Sequence, residues 1–118
     1  INAIDRPNYF LKHVEHAADI IDKAGRPNIR MQFDFYHVQI VGGDIVRRME
    51  KFMPVIGHMQ CAAVPTRHEP DEGEVNYPYV FEQADRLGYA GWIGAEYRPR
   101  AGTEQGLAWA KAYGVTPR

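Results

Sequence analysis

The sequence holds a single cysteine, Cys61, among 118 residues. That excludes an internal disulfide framework. Cys61 sits within an apolar run, so the expectation is a buried, inert thiol rather than a reactive one. Neither sign of charge dominates: 14 Lys and Arg face 15 Asp and Glu, a formal net charge of -1. Such a balance provides no general attraction to nucleic acid or to an anionic membrane surface. No apolar run approaches the roughly 20 residues of a membrane span. No secretory leader is visible in a sequence that opens on Ile1, and the expected location is cytoplasmic. The glycines of GYAGWIG precede and enter an apolar run instead of opening a helix, so they form no dinucleotide fingerprint.

What is present is an alternation of helical and strand-like segments. Asp5-Arg6-Pro7 has the form of a helix start. Phe10, Val14, Ala17 and Ile21 follow at helical spacing, with His13 and His16 on the polar side, until Gly25-Arg26-Pro27. Residues 29–36 read as a strand. Gly42-Gly43-Asp44 breaks the chain and caps a helix with Ile45, Met49, Phe52 and Met53 on its apolar face, ended by Pro54. Residues 55–63 read as a second strand, followed by the polar loop VPTRHEPDEGEVN. Asn76 is the expected cap of a helix through Leu87, terminated by Gly88. Residues 91–97 read as a third strand, and Thr103 as the cap of a last helix through Tyr113. Strand starts fall roughly 30 residues apart, the length of a βα unit. The expected class is therefore α/β with a parallel sheet.

Alternation within the strands points to a barrel. Met31, Phe33 and Phe35 oppose Arg30, Gln32 and Asp34, and Met59 and Cys61 oppose His58 and Gln60. An apolar face suits packed helices, and a polar face suits a barrel lumen. An open doubly wound sheet more often has near-continuous apolar strands. A closed eightfold barrel typically needs about 250 residues, so 118 residues cannot close one alone.

Asp34 in MQFDFYH, Gln60 in GHMQCA and Glu96 in WIGAEYRP each close one apolar run. Oxygen donors at the carboxyl ends of successive parallel strands are how such barrels build metal sites. This donor set suits Mg²⁺ or Mn²⁺ better than a thiolate-seeking metal. His37 and His58 neighbour the set and could ligate metal, orient a ligand or contact substrate. Arg67, His68 and Arg98 lie at the same strand ends, where guanidinium can grip a carboxylate.

At these residues the chain resembles the hydroxypyruvate isomerase family, within the xylose-isomerase-like barrels. The fragments INAIDRPNYF, FDFYHVQ, GHMQ, RHEPDEGEVNYP and GWIGAEYRP carry the resemblance. It implies that residues 1–118 form one partial domain, the carboxyl-terminal half of a (β/α)8 TIM barrel from the end of strand 5 through helix 8. It implies a divalent-metal-dependent isomerase (Mg or Mn) that converts hydroxypyruvate to tartronate semialdehyde through an enediolate. Asp34, Gln60 and Glu96 match the family's metal ligands, and Glu96 also matches an acid–base glutamate. His37 and the Arg67-His68-Glu69 segment match active-face motifs, and Arg98 is a further candidate for the substrate carboxylate. The second acid–base glutamate belongs to a Glu-Pro-Ile-Asn stretch at the end of strand 5, whose last two residues match Ile1-Asn2, so that glutamate would fall just upstream of Ile1. The 118 residues alone are therefore expected to be inactive. They would need the amino-terminal half of the barrel or a second copy as partner, with neither nucleic acid nor membrane involved. Asp71-Glu72 in the loop looks closer to the related 2-oxo-tetronate isomerases. The alternatives are that activity, a non-catalytic self-associating half-barrel, or metal-dependent hydrolysis of abasic DNA. The near-neutral charge argues against the last.

Overall fold

A computed structural model describes residues 1–116. Three parallel strands form one sheet in the order β1-β2-β3, with β1 at Met31–Asp34, β2 at Ile56–Cys61 and β3 at Ile93–Ala95. Helix α1 (Val14–Ala24) precedes β1. Helices α2 (Phe35–Val41) and α3 (Ile45–Phe52) connect β1 to β2, and α4 (Tyr77–Arg86) connects β2 to β3. A short α5 (Thr103–Gly106) and a 3₁₀ segment (Ala108–Tyr113) follow β3. This is the expected parallel βα arrangement, since parallel neighbours require a crossover.

One face of β1 and β2 makes the core. Phe33, Phe35, Met49, Met59 and Tyr77 are fully enclosed between the sheet and helices α3 and α4. Phe35, Tyr77 and Phe81 pack edge-on or tilted, with ring centroids 5.3–6.3 Å apart, a favoured aromatic geometry. Cys61 is buried in the same layer, and burial pushes its thiol up to about 12. The inert cysteine expected from the sequence is what the fold contains.

A bulge sets the lumen face. Met31 pairs with Ile56, but Gln32 pairs with His58, so β2 holds one extra residue at Gly57. A side chain at Gly57 would meet the Cβ of Arg30 at 2.5 Å. The bulge lets Ile56 and Met59, three apart, share the buried face. His58 and Gln60 then stand on the opposite face beside Gln32 and Asp34.

Several expected boundaries move. The first helix starts at Val14, not at Asp5, and His13 stands at its amino end without a side-chain cap. The Asp5 carboxylate is taken by Asn2, Tyr36 and Arg67, so Asp5 anchors a loop instead of a helix. Phe10, expected on the apolar helix face, is exposed and packs its ring edge-on against His16. The first strand ends at Asp34, because the next seven residues form α2. Asp44 adopts a left-handed backbone (φ 52°) and makes no side-chain cap to α3. Asn76 does cap α4, accepting from the Tyr79 N–H. The last helix breaks in two at Leu107, where a 3₁₀ segment takes over.

Candidate functional site at the strand ends

Asp34 closes β1 and opens α2. Its Oδ1 accepts from the backbone N–H groups of Tyr36 (2.9 Å) and His37 (3.3 Å), a side-chain N-cap. Among the described residues no hydrogen bond reaches Oδ2, which lies 3.8 Å from His37 Nε2. Asp34 is 9% exposed. Burial, reinforced by the nearby Glu96 carboxylate, pushes its carboxyl up to about 6, against the capping bonds and the Arg67 charge. A cation beside Oδ2 would offset that cost and restore the ionised form.

Asp34 and Gln60 are direct partners across β1 and β2, at the same level. Glu96 is not level with them. Gln60 pairs with Gly94, and Glu96 stands one same-face step beyond, roughly 6–7 Å further along an extended chain. Gly94 is small because His58 crosses there: a Cβ at Gly94 would meet His58 Nε2 at 3.0 Å. His58 thus fills the lumen over β3, below the strand ends. The Glu96 backbone is still tied to the sheet, its N–H donating to the Cys61 carbonyl (3.1 Å). Its Oε2 accepts from Arg67 Nη2 at 3.0 Å, and Gln60 Oε1 accepts from Gln32 Nε2.

Arg67 is the hub of this end of the sheet. It sits in a left-handed backbone conformation (φ 59°), uncommon for a side chain of this size. Its guanidinium donates to Asp5 Oδ2 (3.2 Å) and Glu96 Oε2 (3.0 Å) and stacks 4.8 Å from the Tyr36 ring. His68 points elsewhere: its Nδ1 donates to the Arg98 carbonyl at 2.7 Å, tethering two loops. The Arg98 N–H donates to the Arg67 carbonyl (2.8 Å). The Arg98 side chain is exposed and makes no ion pair among the described residues. Arg67 is therefore the candidate carboxylate binder that shares a site with Glu96, while His68 and Arg98 brace the backbone around it.

His37 faces the same space from α2. Its ring is buried, and Nε2 has no hydrogen-bond partner among the described residues. Burial first, and then nearby positive charge, hold it down at about 4. Asp34, His37, Gln32 and Met31, with Ile1 and Leu11, line an open pocket of about 420 Å³. Sequence patterns did not single out Asn2, whose enclosed side chain meets His37 Nδ1 (2.8 Å) and Asp5; Glu69, matched by the resemblance together with Arg67 and His68, is buried. Glu69 accepts from Arg100, whose guanidinium also meets Asp71 (2.7 Å) and Glu72 (2.8 Å). Arg100 thereby locks the loop after β2 onto the loop after β3. Only the charge density of RHEPDE could have hinted at this, and it does not specify a partner.

The donors at these strand ends, Asp34, Gln60 and Glu96, fit a hard divalent cation in chemical type. Among the described residues no three His, Cys, Asp or Glu side chains are gathered into one cluster. Gln60, an amide donor, stands outside that class of ligand.

Parallel βα units carrying polar residues at the carboxyl ends of their strands define a segment of a TIM barrel with its reaction face at those ends. The sequence matches the family described as xylose isomerase-like TIM barrel over residues 2–113, and the chain belongs to that family. A 2-oxo-tetronate isomerase of Cupriavidus necator is 54% identical over 113 residues, covering 96% of this chain and 44% of that protein. A Xenopus laevis protein named "Putative hydroxypyruvate isomerase" is 45% identical over 111 residues, covering 93% of this chain and 40% of its own. A crystal structure described as "AP endonuclease, family 2 from Brucella melitensis" superposes with a TM-score of 0.92 at 48% identity, covering 96% of this chain and 44% of that one. The chain thus spans less than half the length of these relatives. No helix of the described residues is long and apolar enough to cross a membrane.

Proposed function

We propose that these residues form part of the active site of a metal-dependent isomerase acting on a small hydroxy-oxo acid. The observation that carries the reading is the clustering of Asp34, Gln60, Glu96 and Arg67 at one end of a parallel sheet, with Asp34 and Gln60 in register. Asp34, Gln60 and Glu96 would hold Mg²⁺ or Mn²⁺, and the cation would supply charge stabilisation for an enediolate. Glu96 takes a proton from the substrate carbon or returns it to the neighbouring one. Its side chain is 58% exposed among the described residues. Arg67 exchanges its Glu96 contact for the substrate carboxylate and keeps Asp5, which frees Glu96 for the proton. The described residues contain three strands of a barrel's eight. The rest of the barrel is the partner this site requires, and the 118 residues alone do not turn over.

Of the two acids named for the relatives, 2-oxo-tetronate is favoured. Relatives of that name are 54% and 47% identical, and Asp71-Glu72 stands in the loop that Arg100 holds over the strand ends. The test is turnover of 2-oxo-tetronate and of hydroxypyruvate by the full-length protein, with added Mg²⁺ or Mn²⁺ and with chelator. Glu96→Gln should lower kcat by about 10²–10⁴-fold, the usual worth of a positioned acid–base group, while leaving the circular dichroism spectrum unchanged. Undiminished turnover in that variant, or full activity under chelator, would overturn the reading. Cleavage of abasic duplex DNA without isomerisation would replace it with the activity in the Brucella protein's description.

A further inference from the structure

Asn2 is fully enclosed, and its amide has only one consistent orientation. The backbone N–H of Asp5 donates to Oδ1 at 2.8 Å, so Oδ1 must be the oxygen. Nδ2, the only donor on the side chain, then faces Asp5 Oδ2 at 3.0 Å and His37 Nδ1 at 2.8 Å. The Asn2 backbone N–H also points at His37 Nδ1, at 3.3 Å. Two donors thus converge on one ring nitrogen. That nitrogen must offer its lone pair, which leaves the imidazole proton on Nε2. Nε2 is the one buried side-chain polar atom without a partner among the described residues. It faces the space beside Asp34 Oδ2, at 3.8 Å. An orphaned buried donor is costly unless something else completes it.

We propose that Asn2 is a positioning residue that holds His37 in the tautomer with its proton on Nε2, presenting a fixed hydrogen-bond donor to a substrate oxygen at the strand-end site. Of the three roles His37 could have played, metal ligation through Nε2 drops out, because that nitrogen's lone pair is used by its proton. His37 instead fixes the pose of a carbonyl or hydroxyl oxygen, and Asn2 acts on that oxygen through the ring while its amide also holds Asp5. The substrate part of this inference rests on the isomerase reading, whereas the tautomer does not.

The experiment is ¹⁵N NMR of the full-length protein with labelled histidine, in parallel with steady-state kinetics. In the wild type, His37 should give an unprotonated Nδ1 resonance and a protonated Nε2 resonance. Asn2→Asp replaces the donor by an acceptor and should move a proton onto Nδ1. Asn2→Ala keeps the backbone donor, should populate both tautomers, and should lower kcat/KM about 10–100-fold, the usual cost of removing a ligand-orienting partner. In a His37→Gln background, Asn2→Ala should cost clearly less than in the wild type, since the part of its effect that passes through the ring is gone and only the Asp5 contacts are lost. A protonated Nδ1 in the wild type, or an Asn2→Ala loss that persists undiminished in His37→Gln, overturns the proposal. If neither acid is turned over, the isomerase reading falls, and the spectra of the wild type and Asn2→Ala still decide the tautomer.

Discussion

Replacing Asp34 by Asn separates charge from shape at the strand-end site. Asn keeps an oxygen where Oδ1 caps α2, and it is as good an N-cap as Asp. What it removes is a carboxylate that burial, together with Glu96, makes hard to ionise. The folded carboxyl sits at about 6 against an ordinary 3.8, which corresponds to about 3 kcal/mol. Its folded value is raised, so the protein binds the proton more tightly when folded. Stability from this group is fully present below the ordinary value and is lost as pH rises through the folded one. Without a cation, Asp34→Asn should therefore match the wild type in acid and exceed it by about 3 kcal/mol once pH is well above the folded value. With a divalent cation the gap closes: the wild type gains about 2.7 kcal/mol at a hundredfold excess over Kd, and the variant gains little. The order reverses at about a thousandfold excess over Kd, where the wild type gains about 4.1 kcal/mol. The assay is urea denaturation of both full-length proteins across this pH range, in chelator and in Mg²⁺ or Mn²⁺. A stability difference that ignores pH, or a variant weaker than the wild type at every pH in chelator, would refute the reasoning. It would mean that Asp34 is held ionised by contacts the geometry does not contain.

Tyr77 and the Arg100 clamp offer independent tests. The Tyr77 hydroxyl donates to the Ala62 carbonyl (2.7 Å) and accepts from the Ala62 N–H (3.2 Å), both buried just beyond β2. Tyr77→Phe leaves these groups unsatisfied and should cost about 1–3 kcal/mol by chemical denaturation; a neutral result would show that water reaches Ala62. Arg100→Ala removes the common partner of Glu69, Asp71 and Glu72. Amide exchange should accelerate across residues 66–73, and kcat/KM should fall with Arg67 no longer held in place. Unchanged exchange there would show that the ion cluster does not restrain the loop.

The order of elements was legible in the sequence because periodicity and punctuation agree at most boundaries. Gly25 stops α1 in a left-handed conformation, and Asn76 opens α4 as its pattern requires. The amino-terminal error has a physical cause. Asp5 followed by proline is a helix-start signal, but three tertiary partners claim that carboxylate, and tertiary context overrides a local cap. Helix α2 was hidden for a related reason. FDFYHVQ reads as strand by its aromatics, yet Asp34 turns the chain by capping residues that follow it. At the site, sequence placed Asp34 and Gln60 on one face, and the register agrees. The level of Glu96 was beyond reach, because the pairing of Gln60 with Gly94 is decided by how β2 and β3 slide.

Sequence by itself determined the parallel βα class, the buried cysteine and the face on which the polar strand residues stand. These depend on alternation and spacing, which the covalent chain already contains. Only the tertiary structure decided which charges meet. Arg67 reaches Asp5 across 62 positions, Arg100 reaches Glu69 across 31, and Asn2 meets His37 across 35. Such partners are selected by distance in the folded sheet and by the cost of leaving a buried polar group unpaired, neither of which is written in local spacing.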